Sequence, residues 1–154
     1  MIPVYLGIGS NLGDRQLYIN QAIDCIRNHP HMTLDAVSSI HETIAISTVE
    51  QPHFLNGALR ILTHLSPHEL LVETEAIEKK MGRVAKGSGE PRTLDLDILF
   101  YGDQILATDT LIIPHPLIQD RLFVLRPLSE LAPEFCHPIF NESIAYLRSQ
   151  LNGY

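Results

Sequence analysis

With 154 residues, the chain is long enough to bury one hydrophobic core without disulfides or metals, and we expect a single domain over residues 1–154. Its hydrophobic fraction of 45% and charged fraction of 19% are typical of a globular protein. A net charge of −7 argues against a nucleic-acid-binding protein, and no apolar run approaches the ~20 residues of a membrane span. With two cysteines and no export signal, we expect a cytoplasmic monomer without nucleic acid or membrane as a partner.

The first part of the chain predicts a strand, a helix and a second strand. Residues 4–8 form an apolar run that leads into a glycine turn, GIGSN, at residues 7–11. Over residues 14–28, apolar side chains recur with helical spacing, which predicts an amphipathic helix. Residues 32–40 are interpreted as the second strand, and the polar residues 41–53 as an irregular segment.

A third strand and a second helix follow. Apolar residues alternate over residues 55–65, which predicts a strand. Ser66 is a favourable N-cap, Pro67 suits the first helical position, and Glu69 completes a capping box. Gly82 is a natural end for this helix.

The remaining elements complete the predicted fold. Residues 94–101 alternate with a period of two and predict a strand. Residues 101–104 are interpreted as a hairpin turn into residues 105–106, and residues 111–113 as a further strand. Residues 117–125 are interpreted as a short helix followed by an extended segment, and residues 143–151 as a terminal helix. The order β-α-β-β-α-β predicts an α+β fold, a ferredoxin-like sandwich with a C-terminal extension of hairpin strands and helices.

Two carboxylates stand out in the strand at residues 94–101. Asp95 and Asp97 point to the same face, roughly 6–7 Å apart. Such oxygen ligands suit Mg²⁺, which commonly binds one or two carboxylates and completes its shell with water and phosphate. Arg92 would add a planar donor for phosphate oxygens. The alternative is a solvent-facing strand edge that carries two acids without a function.

Four stretches carry a family resemblance that covers essentially the whole chain in order. They are GSNLGDR at 9–15, QPHFLN at 51–56, PRTLDLDILFYG at 91–102 and PHPLIQDRLFVLRPL at 114–128. The chain thereby resembles the 6-hydroxymethyl-7,8-dihydropterin pyrophosphokinases of folate synthesis. The resemblance implies a ferredoxin-like fold and transfer of the β,γ-pyrophosphoryl group of ATP to the pterin hydroxymethyl group, with AMP as the other product.

The resemblance also implies site residues, matched by position in this sequence. Asp95 and Asp97 correspond to ligands of two Mg²⁺ ions, and Arg83 and Arg92 to catalytic residues of a loop that clamps phosphates. The implied ATP contacts are Glu78, Arg83, Arg92, Ile98, His115 and Arg121. The implied pterin contacts are Thr43, Ile44, Ile46, Phe54, Asn56 and Phe123. Residues 83–90, with small residues at their tip, are predicted to form a lid.

Plain alternatives remain open at this stage. Phe54 and Phe123 both suit a hydrophobic core, and His115 and Arg121 suit a solvated surface. A nucleotidyltransferase would also combine a Gly-Ser turn with a paired aspartate motif, although two helices and two strands separate the two motifs here. A non-catalytic ferredoxin-like ligand-binding module is the other alternative, because fold alone does not imply function.

Overall fold

The computed structural model describes residues 1–43, 53–82 and 93–151. The site predictions for Ile44, Ile46, Arg83 and Arg92, and the predicted lid at residues 83–90, lie outside these ranges. Both cysteines, which lie inside the ranges, are free. Within the described part of the chain, no helix is long and apolar enough to cross a membrane.

The central sheet has the predicted ferredoxin-like order. Its strands are β1 (Ile2–Ser10), β2 (Met32–Val37), β3 (His41–Thr43), β4 (Phe54–Thr63) and β5 (Asp95–Tyr101). They are arranged β2-β4-β1-β5, and β3 pairs with β4 beside β2. All pairings are antiparallel. The long strands β1 and β4 therefore form the centre of the sheet, and β5 lies at its edge.

Two helices cover one face of the sheet. Helix α1 (Arg15–Arg27) begins at Asp14, whose side chain accepts a hydrogen bond from the backbone of the first turn. Helix α2 (Pro67–Lys80) begins with the predicted capping box between Ser66 and Glu69. Both helices turn apolar stripes to the sheet because their buried residues recur at helical spacing. The resulting core includes Leu6, Ile8, Ile19, Ile23, Ile26, Leu59, Ile61, Leu70, Ile77, Leu96 and Ile98.

The C-terminal extension covers part of the opposite face. After the small hairpin of β6 (Leu106–Ala107) and β7 (Ile112–Ile113), the chain forms a short 3-10 helix at Ile118–Asp120. Helices α3 (Leu122–Leu131) and α4 (Ile144–Ser149) follow. They bury a second cluster against the sheet, formed by Tyr5, Ala58, Leu99, Phe100, Ile118, Leu125, Leu128, Ile144 and Leu147.

Three sequence-based predictions were wrong in detail. Residues 7–10 belong to β1 and not to a turn, since they pair with β4 along their whole length. Residues 41–43, predicted to be irregular, form β3 because β4 supplies their hydrogen-bond partners. The segment after residue 121 is helical and not extended. Leu122, Leu125 and Leu128 recur at helical spacing there and are all buried, Leu125 and Leu128 in the second cluster.

Candidate active site

Asp95 and Asp97 lie on β5 beside a part of β1 that has glycine at the paired positions. On β5, Leu96 and Ile98 are buried toward α1 and α2, so Asp95 and Asp97 project to the opposite face, where both are half-buried. The partner of Asp95 on β1 is Gly9, and the partner of Asp97 is Gly7. Strand β1 therefore adds no side chain of its own beside either carboxylate, and the side chains of Leu99 and Asn56 lie close to Gly7 and Gly9 instead. This role of the glycine motif within a strand differs from the predicted turn.

Asn56 lies in the same row of the sheet, on the other side of β1. Gly9 pairs with Asp95 in one direction and with Asn56 in the other. Two strand spacings place Asn56 and Asp95 about 10 Å apart along this row. A Cβ atom on Gly9 would lie 2.7 Å from Asn56 Oδ1, so only glycine leaves the amide where it is. Asn56 Nδ2 donates a 3.0 Å hydrogen bond to Thr43 Oγ1, which fixes the plane of the amide.

Six of the predicted residues line one depression in this face, which we call the carboxylate cleft. Its described lining is Gly7, Ile8, Gly9, Asn56, Gly57, Asp95, Asp97, Leu99, His115, Arg121, Phe123 and Val124. The structure therefore brings together side chains from β4, β5 and the C-terminal extension that are far apart in sequence. Thr43 adjoins the cleft through its bond to Asn56. Phe54 pairs with Thr43 but is not among the described lining residues.

Arg121 and Phe123 enter the cleft from the start of α3. Arg121 is the residue before the helix, and its guanidinium carbon lies 5.6 Å from the centre of the Phe123 ring. This distance is within the range of a cation–π contact. Phe123 is half-buried beside the fully buried Leu125, so it lines the cleft and does not belong to the core.

A second cavity, which we call the β5 cavity, adjoins the cleft. It has a volume of about 500 Å³, is open to solvent, and is lined by Leu71, Glu75, Leu96, Asp97, Ile98, Asp109, Thr110, Leu111, Ile112, His115 and Pro116. Asp97 and His115 line both spaces. The sequence-based reasoning included Ile98 but missed Leu71, Glu75 and residues 109–112. No motif in the sequence marks these residues, and only the packing of the hairpin beside β5 reveals their position.

His115 is held at the junction of the two spaces by its backbone and its ring. Its N–H donates to the carbonyl of Leu99 at 3.0 Å, which ties the loop to β5. Its Nδ1 accepts a 3.2 Å hydrogen bond from the N–H of Leu117. In the neutral ring, the proton therefore resides on Nε2, which can donate to a ligand.

Glu78 has a different position from the other predicted ATP contacts. Its side chain is only 2% exposed and accepts a 2.8 Å hydrogen bond from the backbone N–H of Leu96. It is not among the described lining residues of either space. The contact attaches α2 to β5 beneath the two aspartates. A direct role for Glu78 in nucleotide binding stays a prediction.

The donor set of the cleft fits magnesium better than a transition metal. Among the described residues, no group of three or more histidine, cysteine or acidic side chains could hold a metal ion. Two carboxylates on one strand face are instead the oxygen donors that Mg²⁺ uses when water and phosphate complete its shell. Asp95 and Asp97 would therefore hold magnesium together with an anionic ligand.

The fold resembles that of part of two larger proteins of known structure. One solved structure, "HPPK-DHPS in complex with substrates", superimposes with a TM-score of 0.73 at 16% identity, over 97% of this chain and 43% of that chain. Plasmodium falciparum HPPK-DHPS with pteroate superimposes with a TM-score of 0.78 at 15% identity, over 97% and 42%. The chain thus spans less than half the length of these proteins. At this identity, the likeness supports the fold alone.

Sequence comparison is more specific. The chain is 44% identical over 130 residues to a 2-amino-4-hydroxy-6-hydroxymethyldihydropteridine pyrophosphokinase of Bacillus subtilis, which covers 84% of this chain and 78% of that protein. It is 38% identical over 144 residues to the Aquifex aeolicus protein of the same name, a match that covers 94% of this chain and 89% of that protein. Residues 5–133 match the model of the 7,8-dihydro-6-hydroxymethylpterin-pyrophosphokinase family. The chain therefore belongs to the 7,8-dihydro-6-hydroxymethylpterin-pyrophosphokinase family.

Proposed function

We propose that the chain transfers the β,γ-pyrophosphoryl group of ATP to 6-hydroxymethyl-7,8-dihydropterin, giving AMP and the pterin diphosphate, in folate biosynthesis. The observation that carries this proposal is the position of Asp97 and His115, which border both the carboxylate cleft and the β5 cavity. Two substrates bound in adjoining spaces would meet at these two residues. Family membership supports the same reaction.

The β5 cavity is the proposed nucleotide side. Its apolar walls, which include Ile98 and Leu111, suit a purine ring, and His115 can donate from Nε2 to a phosphate oxygen. Arg121, in the adjoining cleft, offers a planar set of donors to the same triphosphate. Arg83 and Arg92 are proposed to clamp the phosphates as well, and Glu78 to contribute on this side.

The carboxylate cleft is the proposed pterin side. The Asn56 amide, fixed by Thr43, offers a donor and an acceptor to the amide-like edge of the ring. The Phe123 ring provides a flat apolar surface for stacking. Ile44, Ile46 and Phe54 are proposed to complete this pocket. Because Gly7 lies opposite Asp97, β1 adds no side chain of its own between the hydroxymethyl group and that carboxylate.

We further propose that Asp95 and Asp97 hold two Mg²⁺ ions. When bound, magnesium would neutralise charge on the triphosphate and acidify the attacking hydroxyl. The two carboxylates would hold the metal from a strand that is packed on the core, so their positions need little reorganisation. The oxygen donors of the cleft support this assignment.

Domain number, oligomeric state and location are proposed from composition and charge. We propose one pyrophosphokinase domain over residues 1–154 that acts as a cytoplasmic monomer, without nucleic acid or membrane as a partner. The net charge of −7 and the two free cysteines support this view. Light scattering at enzyme concentrations used for assays would test the monomer, since a dimer would double the measured mass.

Product analysis tests the reaction directly. The chain is incubated with ATP, Mg²⁺ and the reduced pterin, and the nucleotides and pterins are separated by chromatography. Attack on the β-phosphorus gives AMP and pterin diphosphate, which is the expected result. ADP with pterin monophosphate would identify an ordinary kinase, and free pyrophosphate with an adenylylated pterin would identify a nucleotidyltransferase. ATP that remains intact would favour a binding module.

A further inference from the structure

Arg15 makes two contacts that the proposed mechanism does not use. It belongs to the GSNLGDR motif and is the first residue of α1. Its Nη1 donates to Glu42 Oε2 at 2.7 Å and to the carbonyl of His53 at 2.6 Å. Glu42 lies in the middle of β3, and His53 directly precedes β4. One guanidinium group therefore joins the first turn of α1 to two neighbouring segments of the sheet.

Arg15 lies outside both spaces of the candidate site. It is not among the described lining residues of the carboxylate cleft or of the β5 cavity. Its side chain is 29% exposed, and that of Glu42 is 52% exposed. An exposed ion pair of this kind adds little to stability. The contact is better explained by what it positions.

Strand β3 depends on such side-chain contacts. It has three residues, lies at the edge of the sheet, and pairs with β4 alone among the described strands. So few backbone hydrogen bonds hold an edge strand weakly. A shift of one residue along β4 would turn Thr43 away from the face that carries Asn56. Contacts outside the ladder must therefore maintain the register.

Each face of β3 makes one side-chain contact between an acidic residue and a basic or histidine side chain. On the cleft face, His41 Nε2 lies 2.6 Å from Glu130 Oε2, and Glu130 also accepts from Ser39. On the helix face, Glu42 is held by Arg15. The register kept in this way places Thr43 opposite Phe54, within hydrogen-bond distance of Asn56.

We propose that Arg15 is a positioning residue for the pterin. By joining Glu42 to the carbonyl before β4, it keeps β3 in register and thereby holds Thr43 against the Asn56 amide. This inference rests on the proposed function, because it assigns the pterin to Asn56. It predicts that Arg15 affects the recognition of the pterin and leaves the nucleotide side unchanged.

The first test separates the two substrates kinetically. Arg15→Ala should raise KM for the pterin on the order of tenfold, with KM for ATP and kcat changed less than about twofold. Arg15→Lys keeps the charge and two donors and should recover a large part of the loss. Arg27→Ala, which removes an exposed ion pair from the other end of α1, is the matched control. An unchanged pterin KM in Arg15→Ala would overturn the proposal.

A double-mutant cycle tests whether Arg15 acts through β3. Glu42→Ala should reproduce part of the effect, and the double variant should match Arg15→Ala alone because both changes release the same strand. Fully additive effects would contradict the proposal, since Arg15 would then act independently of Glu42.

The second test needs no substrate. The side-chain amide signals of Asn56, assigned by their loss in Asn56→Asp, should move in the NMR spectrum of Arg15→Ala and stay in place in Arg27→Ala. Unmoved Asn56 signals would overturn the inference even if the enzyme makes AMP. If the Asn56 signals move but the chain does not make AMP, the coupling between Arg15 and Asn56 is supported and the proposed reaction is rejected.

Discussion

Glu78 on α2 accepts a 2.8 Å hydrogen bond from the backbone N–H of Leu96, the residue between Asp95 and Asp97. Strand β5 pairs with β1 alone among the described strands, so this donor faces away from the ladder. An unsatisfied buried donor is costly, and Glu78 is almost fully buried. The strand that carries both carboxylates is therefore attached to the sheet on one side and to a helix on the other.

Removal of this acceptor should loosen β5. We expect Glu78→Ala to lower the free energy of unfolding by roughly 1–3 kcal/mol and to speed hydrogen exchange at the Leu96 amide. The apparent magnesium requirement should rise because the two aspartates lose their rigid support. Glu78→Gln keeps an acceptor oxygen and should lower the free energy of unfolding less than Glu78→Ala does. Lys79→Ala, which changes an exposed residue on the same helix, is the control. Unchanged exchange at Leu96 would show that the hydrogen bond is unimportant in solution.

Asp97 should be essential for turnover and dispensable for folding. It is half-buried, borders both spaces, and lies on the strand face opposite the core residues Leu96 and Ile98. We expect Asp97→Ala to lower turnover by roughly a thousandfold or more, with a melting temperature close to that of the parent protein. Asp103→Ala, an exposed carboxylate just after β5, should leave turnover unchanged. Near-normal turnover of Asp97→Ala at saturating Mg²⁺ would refute the metal assignment.

Phe123 should act on the pterin alone. Its ring lines the carboxylate cleft and is not among the described residues around the β5 cavity. Phe123→Ala should raise KM for the pterin on the order of tenfold, whereas binding of a non-hydrolysable ATP analogue should not change. Phe123→Tyr keeps the flat ring and should retain most of the affinity. Phe140→Ala removes an exposed aromatic ring elsewhere and serves as the control. An unchanged pterin KM in Phe123→Ala would indicate that Phe123 contributes to packing and not to pterin binding.

His137 should make the protein less stable in mild acid. The ring is 2% exposed, and its Nδ1 accepts hydrogen bonds from the N–H groups of Ile139 and Phe140 at 3.1 and 3.3 Å. Burial lowers the pKa of His137 below its ordinary value of 6.5. Protonation would replace the accepting lone pair with a donor that faces two other donors.

The sign of the pH effect follows from this lowered pKa. Above about pH 6.5 the ring is neutral in both the folded and the unfolded chain, and its contribution to stability is complete. As the pH falls below that value, the unfolded chain takes up a proton more readily, so stability declines until the folded pKa is reached. The melting temperature of His137→Asn, which keeps an acceptor without titrating, should fall less between about pH 7.5 and 5.5. The exposed His64→Asn variant should behave like the parent protein, and equal losses in all three would reject this role for His137.

Local chemistry determined much of this protein before any tertiary contact was known. Strict alternation around Asp95 and Asp97 indicates a strand with two carboxylates on one face, because successive side chains of a strand point in opposite directions. The capping box of Ser66 and Glu69 defines the start of α2 within a single turn. The motifs of the family add the reaction class.

The tertiary structure alone decided what lies next to the aspartates. Strand β3 exists because β4 pairs with it, and nothing in the local polar sequence around His41 favours a strand. The sequence predicts a turn at Gly9, yet Gly9 lies within β1 between Asn56 and Asp95, an arrangement that depends on three strands in register. The reach of Arg15 to β3 and the carbonyl before β4 likewise depends on contacts between distant segments. Such contacts arise from tertiary packing, which neither the periodicity of apolar residues nor a local motif predicts.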